Sequence, residues 1–267
     1  MERRHIKWIP ILVAVGSLAY YFIKSEKFVN PETGESARVG LSTEQEKQLG
    51  LQSYDQILHE SSLIQSGPDL EMVRRVAQRL TRAVGEAGSS FDWRVSLVQS
   101  DEVNAFCLPG GKIVVYTGIL PVAGGESGLA VVMGHEIAHA VSRHGAQRVF
   151  EQGALEIAVR GVQGSLTDLD PAQQRTILGL LGAGAQYGVA LPFSRKHETE
   201  ADAIGLRYMA RAGYDPEEAI GFWERMEEAG GSKPPEIMST HPSDRTRIEN
   251  IRKLLPQAKK EYENSGR

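Results

Sequence analysis

Residues 129–141 read Leu-Ala-Val-Val-Met-Gly-His-Glu-Ile-Ala-His-Ala-Val, and this stretch constrains the fold more than any other. Its aliphatic residues favour a buried helix, on which two residues four apart lie on one face, one turn from each other. The imidazoles of His135 and His139 can then reach a single ion at about 2.0–2.1 Å, with Glu136 beside them. Two histidines and a carboxylate on a buried helix need a partner for their polar atoms, and a metal ion supplies one. The competing reading is two internally satisfied histidines and an exposed glutamate, with no ion.

A catalytic zinc takes three protein ligands and keeps one position open. The segment Arg195-Lys196-His197-Glu198-Thr199-Glu200-Ala201-Asp202 offers Glu198 and Asp202 at i and i+4, on one helix face. Glu200 points about 160° away from Glu198 at 3.6 residues per turn. Glu198 is therefore the expected ligand, Asp202 the carboxylate orienting a zinc-bound histidine, and Glu200 a structural residue. A surface charge among charges is the alternative for Glu198. His144, five residues beyond His139, falls off the ligand face and is expected as a helix-end residue. His197 faces elsewhere, and His5 and His59 belong to other elements. His241 precedes Pro242 at a helix start, where it either reaches a cleft or caps the helix.

Elsewhere, Ser42 followed by Thr43-Glu44-Gln45 opens a helix towards Glu60, and Pro68 opens a second. Leu70, Val73, Val76, Ala77, Leu80 and Val84 fall at helical spacing, ending near Gly85 or Gly88. From Phe91 the period changes to two. Strands then run from Val103 to Leu108 and from Ile113 to Thr117, joined as a hairpin by Pro109-Gly110-Gly111. The motif helix is expected from Glu126 to Phe150, with a further helix to Val162. The glycine-rich apolar segment 177–193 suits a buried helix better than a membrane span, given its length and central Gln186. Helices over 198–212 and 216–229 follow, and a last helix runs to Leu255. The expected class is α+β: mainly helical, with a small, mostly antiparallel sheet before the metal-binding helix.

The N-terminus differs in kind. Arg3, Arg4, His5 and Lys7 precede an apolar run from Trp8 to Ile23. It suits an uncleaved anchor better than a signal sequence, because it stays apolar past the possible cleavage site at Ser17-Leu18-Ala19. The positive flank would stay cytoplasmic, placing everything after Lys24 on the outer side. The expected division is an anchor or signal sequence over 1–24, a linker over 25–40, a metallopeptidase domain over 41–256 and a polar, frayed tail over 257–267. A net charge of −4 gives no electrostatic footprint for nucleic acid. The single cysteine, Cys107, excludes an internal disulfide and reads as a small buried hydrophobe.

His135-Glu136-Ile137-Ala138-His139, Glu198-Thr199-Glu200-Ala201-Asp202 and His241-Pro242-Ser243 together resemble a known family. They look like the HtpX/Oma-type zinc metallopeptidases related to the CAAX prenyl protease. Asn104-Ala105-Phe106 and Gly110 to Gly118 add to the likeness, which covers Ser42 to Leu255. It is nearest the compact, single-anchor Oma-like and BepA-like members. The resemblance implies a gluzincin-type domain, one Zn2+ bound by His135, His139 and Glu198, and Glu136 as base. It also implies a place for His241 near the metal, as an oxyanion donor or a latent fourth ligand. Arg245 and Arg247 are lesser candidates to steady the oxyanion. On this reading Ile113, Val114, Val115 and Tyr116 form an edge strand to which an extended substrate adds itself. The expected activity is an endopeptidase for unfolded or misassembled proteins. It would face the periplasm from a bacterial inner membrane, or be soluble there after signal cleavage. The rival function is a zinc-binding chaperone or scaffold that cleaves little.

Overall fold

The computed structural model describes residues 7–167, 193–230, 235–241 and 246–265. The contacts divide the chain into two compact units, one of 1–29, 35–42 and 146–191 and the other of 30–34, 43–145 and 192–267.

In the first unit, helix α1 (Trp8–Lys24) has no buried residue. Strands β1 (Glu26–Val29) and β2 (Ser36–Val39) pair antiparallel. The expected linker thus contains a hairpin, because Asn30-Pro31 and Gly34 turn the chain back on itself; Gly34 takes a left-handed φ of 73°. Tyr21 stacks on Phe150, ring centroids 5.0 Å apart, and Gly161 leaves room for Ala14. Among the described residues no single helix is long and apolar enough to cross a membrane.

The second unit holds the core. Helices α2 (Thr43–Glu60) and α3 (Pro68–Val84) come first. Strands β3 (Arg94–Val98), β4 (Ala105–Leu108) and β5 (Lys112–Tyr116) follow, then a short helix α4 (Leu120–Ala123) and helix α5 (Glu126–Val141). Helix α6 (His144–Ser165) starts here and continues into the first unit. Beyond it lie α7 (Arg195–Arg211), α8 (Glu218–Gly230), α9 (Glu236–Thr240) and α10 (Thr246–Glu263). Leu80, Val115, Leu129, Met133, Ile204, Phe222 and Trp223 belong to one continuous apolar cluster around α5.

Three expectations need correction here. The motif helix ends at Val141, not Phe150, because Arg143 adopts a left-handed φ of 53° and a new helix begins at His144. The sheet order is β3-β5-β4, so Ile113, Val114, Val115 and Tyr116 form the central strand and not an edge. β5 pairs parallel with β3 and antiparallel with β4, which occupies the hydrogen-bonding groups on both of its sides. The C-terminal stretch is also no frayed tail: α10 continues through Pro256 to Glu263, and Ala258 is buried. The glycine-rich segment, apart from Phe193, lies outside the described residues, as do Pro242, Ser243 and Arg245.

Candidate metal centre

The site is built where α5 crosses α7. A β-carbon on Gly205 would lie 2.8 Å from the His135 backbone nitrogen and 2.9 Å from the Gly134 carbonyl carbon. Only glycine allows that approach, and it brings Glu198 and Asp202 of α7 within reach of the α5 histidines.

The nitrogens His135 Nε2 and His139 Nε2 are 3.1 Å apart. Glu198 reaches both rings, with Oε1 3.3 Å from His139 Nε2 and Oε2 3.4 Å from His135 Nε2. His241, just past α9, completes the group: its Nδ1 is 3.0 Å from Glu198 Oε1 and 3.3 Å from His135 Nε2. One ligand atom from each of these four buried residues lies within 4.8 Å of all the others.

The donor set fits a metal ion. A tetrahedral site with bonds of about 2.0–2.1 Å has edges of about 3.4 Å; the four contacts quoted between His135, His139, Glu198 Oε1 and His241 Nδ1 run from 3.0 to 3.3 Å. Three imidazoles and a carboxylate turned inward on one point, with Glu198 Oε2 accepting no aligned hydrogen bond, are polar groups awaiting a cation.

Glu136 follows the first histidine and is equally buried. Its Oε1 has no hydrogen-bond partner among the described residues, and His241 Nε2 stands 3.5 Å away. Burial raises its pKa above the ordinary carboxylate value, against the pull of His241 and His135. Burial acts on Glu198 in the same sense, but hydrogen bonds from His135, His139 and His241 outweigh it and hold that carboxyl far below its usual range.

Each α5 histidine has a partner on its far side. His135 Nδ1 is 2.9 Å from Asp202 Oδ1. Arg247, buried on α10, donates to the same oxygen at 2.7 Å, lies 3.3 Å from Glu198 Oε2, and sits 3.4 Å above the Trp223 ring. Burial opposes ionisation of Asp202, yet Arg247 and His135 keep its pKa below normal. Sequence reasoning named Arg247 only as a lesser oxyanion candidate. The missed signal was charge balance: buried carboxylates at 136, 198 and 202 require a cation close by.

On the other flank, His139 Nδ1 meets His144 Nδ1 at 3.0 Å, and His144 Nε2 meets Glu200 Oε2 at 3.2 Å. His144 is the helix-end residue expected, the first of α6 and no member of the four-residue group, but it also touches His139. The left-handed Arg143 swings it back against His139, and Gly145 after it was the sequence hint of a break. His197, expected to face elsewhere, stacks on His144 with centroids 4.4 Å apart. Cys107 is half-buried on β4, and burial pushes its thiol pKa well up, which suits a packing residue.

Comparison with known proteins covers the stretch that holds these residues. Residues 69–255 match the model of peptidase family M48. The mitochondrial metalloendopeptidase OMA1 of Schizosaccharomyces pombe is 36% identical over 267 residues, covering 98% of this chain and 76% of the relative. OMA1 of Saccharomyces cerevisiae is 37% identical over 192 residues, covering 65% and 50%. The beta-barrel assembly-enhancing protease of Escherichia coli K12 is 30% identical over 262 residues, covering 96% and 53%. The chain thus spans three quarters of the fission-yeast relative and about half of the other two.

Proposed function

The chain belongs to peptidase family M48 as an Oma-type metallopeptidase, and from that premise we propose that it is a zinc endopeptidase for unfolded or misassembled membrane-associated proteins. The observation that carries the chemistry is the buried cluster of His135, His139 and Glu198 with the unbonded Oε1 of Glu136 beside it.

His135, His139 and Glu198 would hold a zinc ion, which would supply Lewis-acid polarisation of the scissile carbonyl and acidify the attacking water. Glu136 takes the proton as the water oxygen adds to the carbonyl carbon. It returns the proton to the amine as the carbon–nitrogen bond breaks. A carboxylate with a raised pKa suits both halves of that exchange. His241 has two positions in this scheme. With Nδ1 beside Glu198 it would serve as a further ligand and hold the enzyme latent; turned away, it would offer a ring N–H to the oxyanion.

The substrate edge moves from β5 to β4. Sheet order leaves one side of Ala105–Leu108 without a strand partner among the described residues, and β4 packs against α5. An extended, unfolded segment added there runs beside the motif helix. The proposed setting is the periplasmic face of a bacterial inner membrane, with α1 as anchor. Its support is the exposed apolar surface of Trp8, Ile9, Leu12, Val13, Tyr20 and Ile23.

Glu136→Gln tests the assignment. The variant keeps its zinc, read by elemental analysis, and loses cleavage of unfolded casein by at least a hundredfold. Cleavage at the parental rate removes Glu136 from the mechanism, and a parent that binds zinc without cleaving points to the chaperone role.

A further inference from the structure

His144, Glu200 and Asn30 take no part in the chemistry above, yet they form a chain ending on His139, buried at His144 and Asn30 and partly buried at Glu200. Glu200 Oε1 accepts from Asn30 Nδ2 at 2.6 Å and from Thr33 Oγ1 at 3.1 Å, which leaves Oε2 for His144 Nε2. Asn30 Nδ2 also reaches Ser142 Oγ, at 2.9 Å, just past the end of α5. His144 is wholly buried and Asn30 nearly so.

We propose that His144 and Glu200 are positioning residues that select the metal-binding tautomer of His139, with Asn30 fixing the carboxylate. The argument runs through the protons. A carboxylate accepts only, so His144 must present N–H at Nε2 to Glu200 and a lone pair at Nδ1. That lone pair meets Nδ1 of His139, which must then carry the proton itself. His139 is left with its lone pair on Nε2, the nitrogen turned towards His135 and Glu198. One negative charge two rings away therefore sets which His139 nitrogen is free to bind. His135 reaches the same end by touching its carboxylate, Asp202, directly. Outer partners of this kind fix ring orientation and raise ligand basicity.

This inference rests on His139 being a metal ligand, and the experiment separates the two. Zinc affinity is measured by chelator competition on the full chain for the parent, His139→Ala, His144→Ala, Glu200→Gln and the His144→Ala/Glu200→Gln double variant. The two single variants at 144 and 200 should bind zinc about 10- to 100-fold more weakly. Glutamine presents an N–H as readily as an oxygen and no longer dictates the tautomer. The double variant should be no worse than His144→Ala, because Glu200 acts only through that ring. His144→Asn, which keeps an acceptor for His139, should recover part of the loss. Glu200→Gln is isosteric and carries the test if His144→Ala does not fold. Parental affinity in Glu200→Gln and His144→Ala, while His139→Ala loses zinc, overturns the relay alone. Parental affinity in His139→Ala overturns the ligand assignment and the relay with it.

Discussion

Helices α1 and α5 are the two strongly apolar helices described, of 17 and 16 residues, and they have opposite fates. α1 buries none of its residues, whereas α5 buries thirteen. Apolar content alone therefore does not say where a helix goes. What separates them is company: α5 carries two histidines and a glutamate into the interior and must be met there by groups that neutralise them. α1 carries no ionisable side chain between Trp8 and Ile23 other than two tyrosines, and nothing polar calls other elements to it.

The comparison breaks most sharply at Arg247. Arg247→Leu leaves Asp202 and Glu198 without their buried cation, and should destabilise the metal-stripped protein by about 3–5 kcal/mol in urea unfolding. A change below about 1 kcal/mol would mean that the interior of α5 is not balanced by that charge. Next comes the crossing. Gly205→Val drives a side chain into the His135 backbone and should cost about 2–3 kcal/mol by the same measurement, with zinc lost in proportion. An unchanged midpoint would show that α5 and α7 can separate freely. The smallest effect belongs to α1. Leu12→Ser with Val13→Ser alters exposed positions and should shift stability by no more than about 0.5 kcal/mol. The same pair should abolish partition of the protein into lipid vesicles. Parental partition with a large loss of stability would reverse the contrast with α5.

Much of the site could be read in the sequence because it depends on helical periodicity. His135 and His139 share a face by spacing alone, and so do Glu198 and Asp202. The three helices Thr43–Glu60, Pro68–Val84 and Arg195–Arg211 fell close to their expected bounds for the same reason. What escaped depended on non-local pairing or on one dihedral angle. Nothing local tells a central strand from an edge strand, so β5 was assigned the free side that belongs to β4. Nothing in the side chain of Arg143 announces a left-handed φ, and a continuous helix would have carried His144 away from His139. Arg247 could be named only as a lesser oxyanion candidate, because nothing local says that α10 brings it over Trp223.

The meeting of Gly134 and Gly205 also has a consequence in time. During synthesis the two histidines and Glu136 emerge from the ribosome long before Glu198, and Arg247 comes later still. Through that interval the nascent chain holds Glu136 and two imidazoles without the Glu198 carboxylate that joins the rings or the cation that balances it. Because domains fold as units, cutting power arrives only with the last helix. A protease assembled in that order is harmless to its own unfolded chain, and to its neighbours on the polysome, until its last helix has docked.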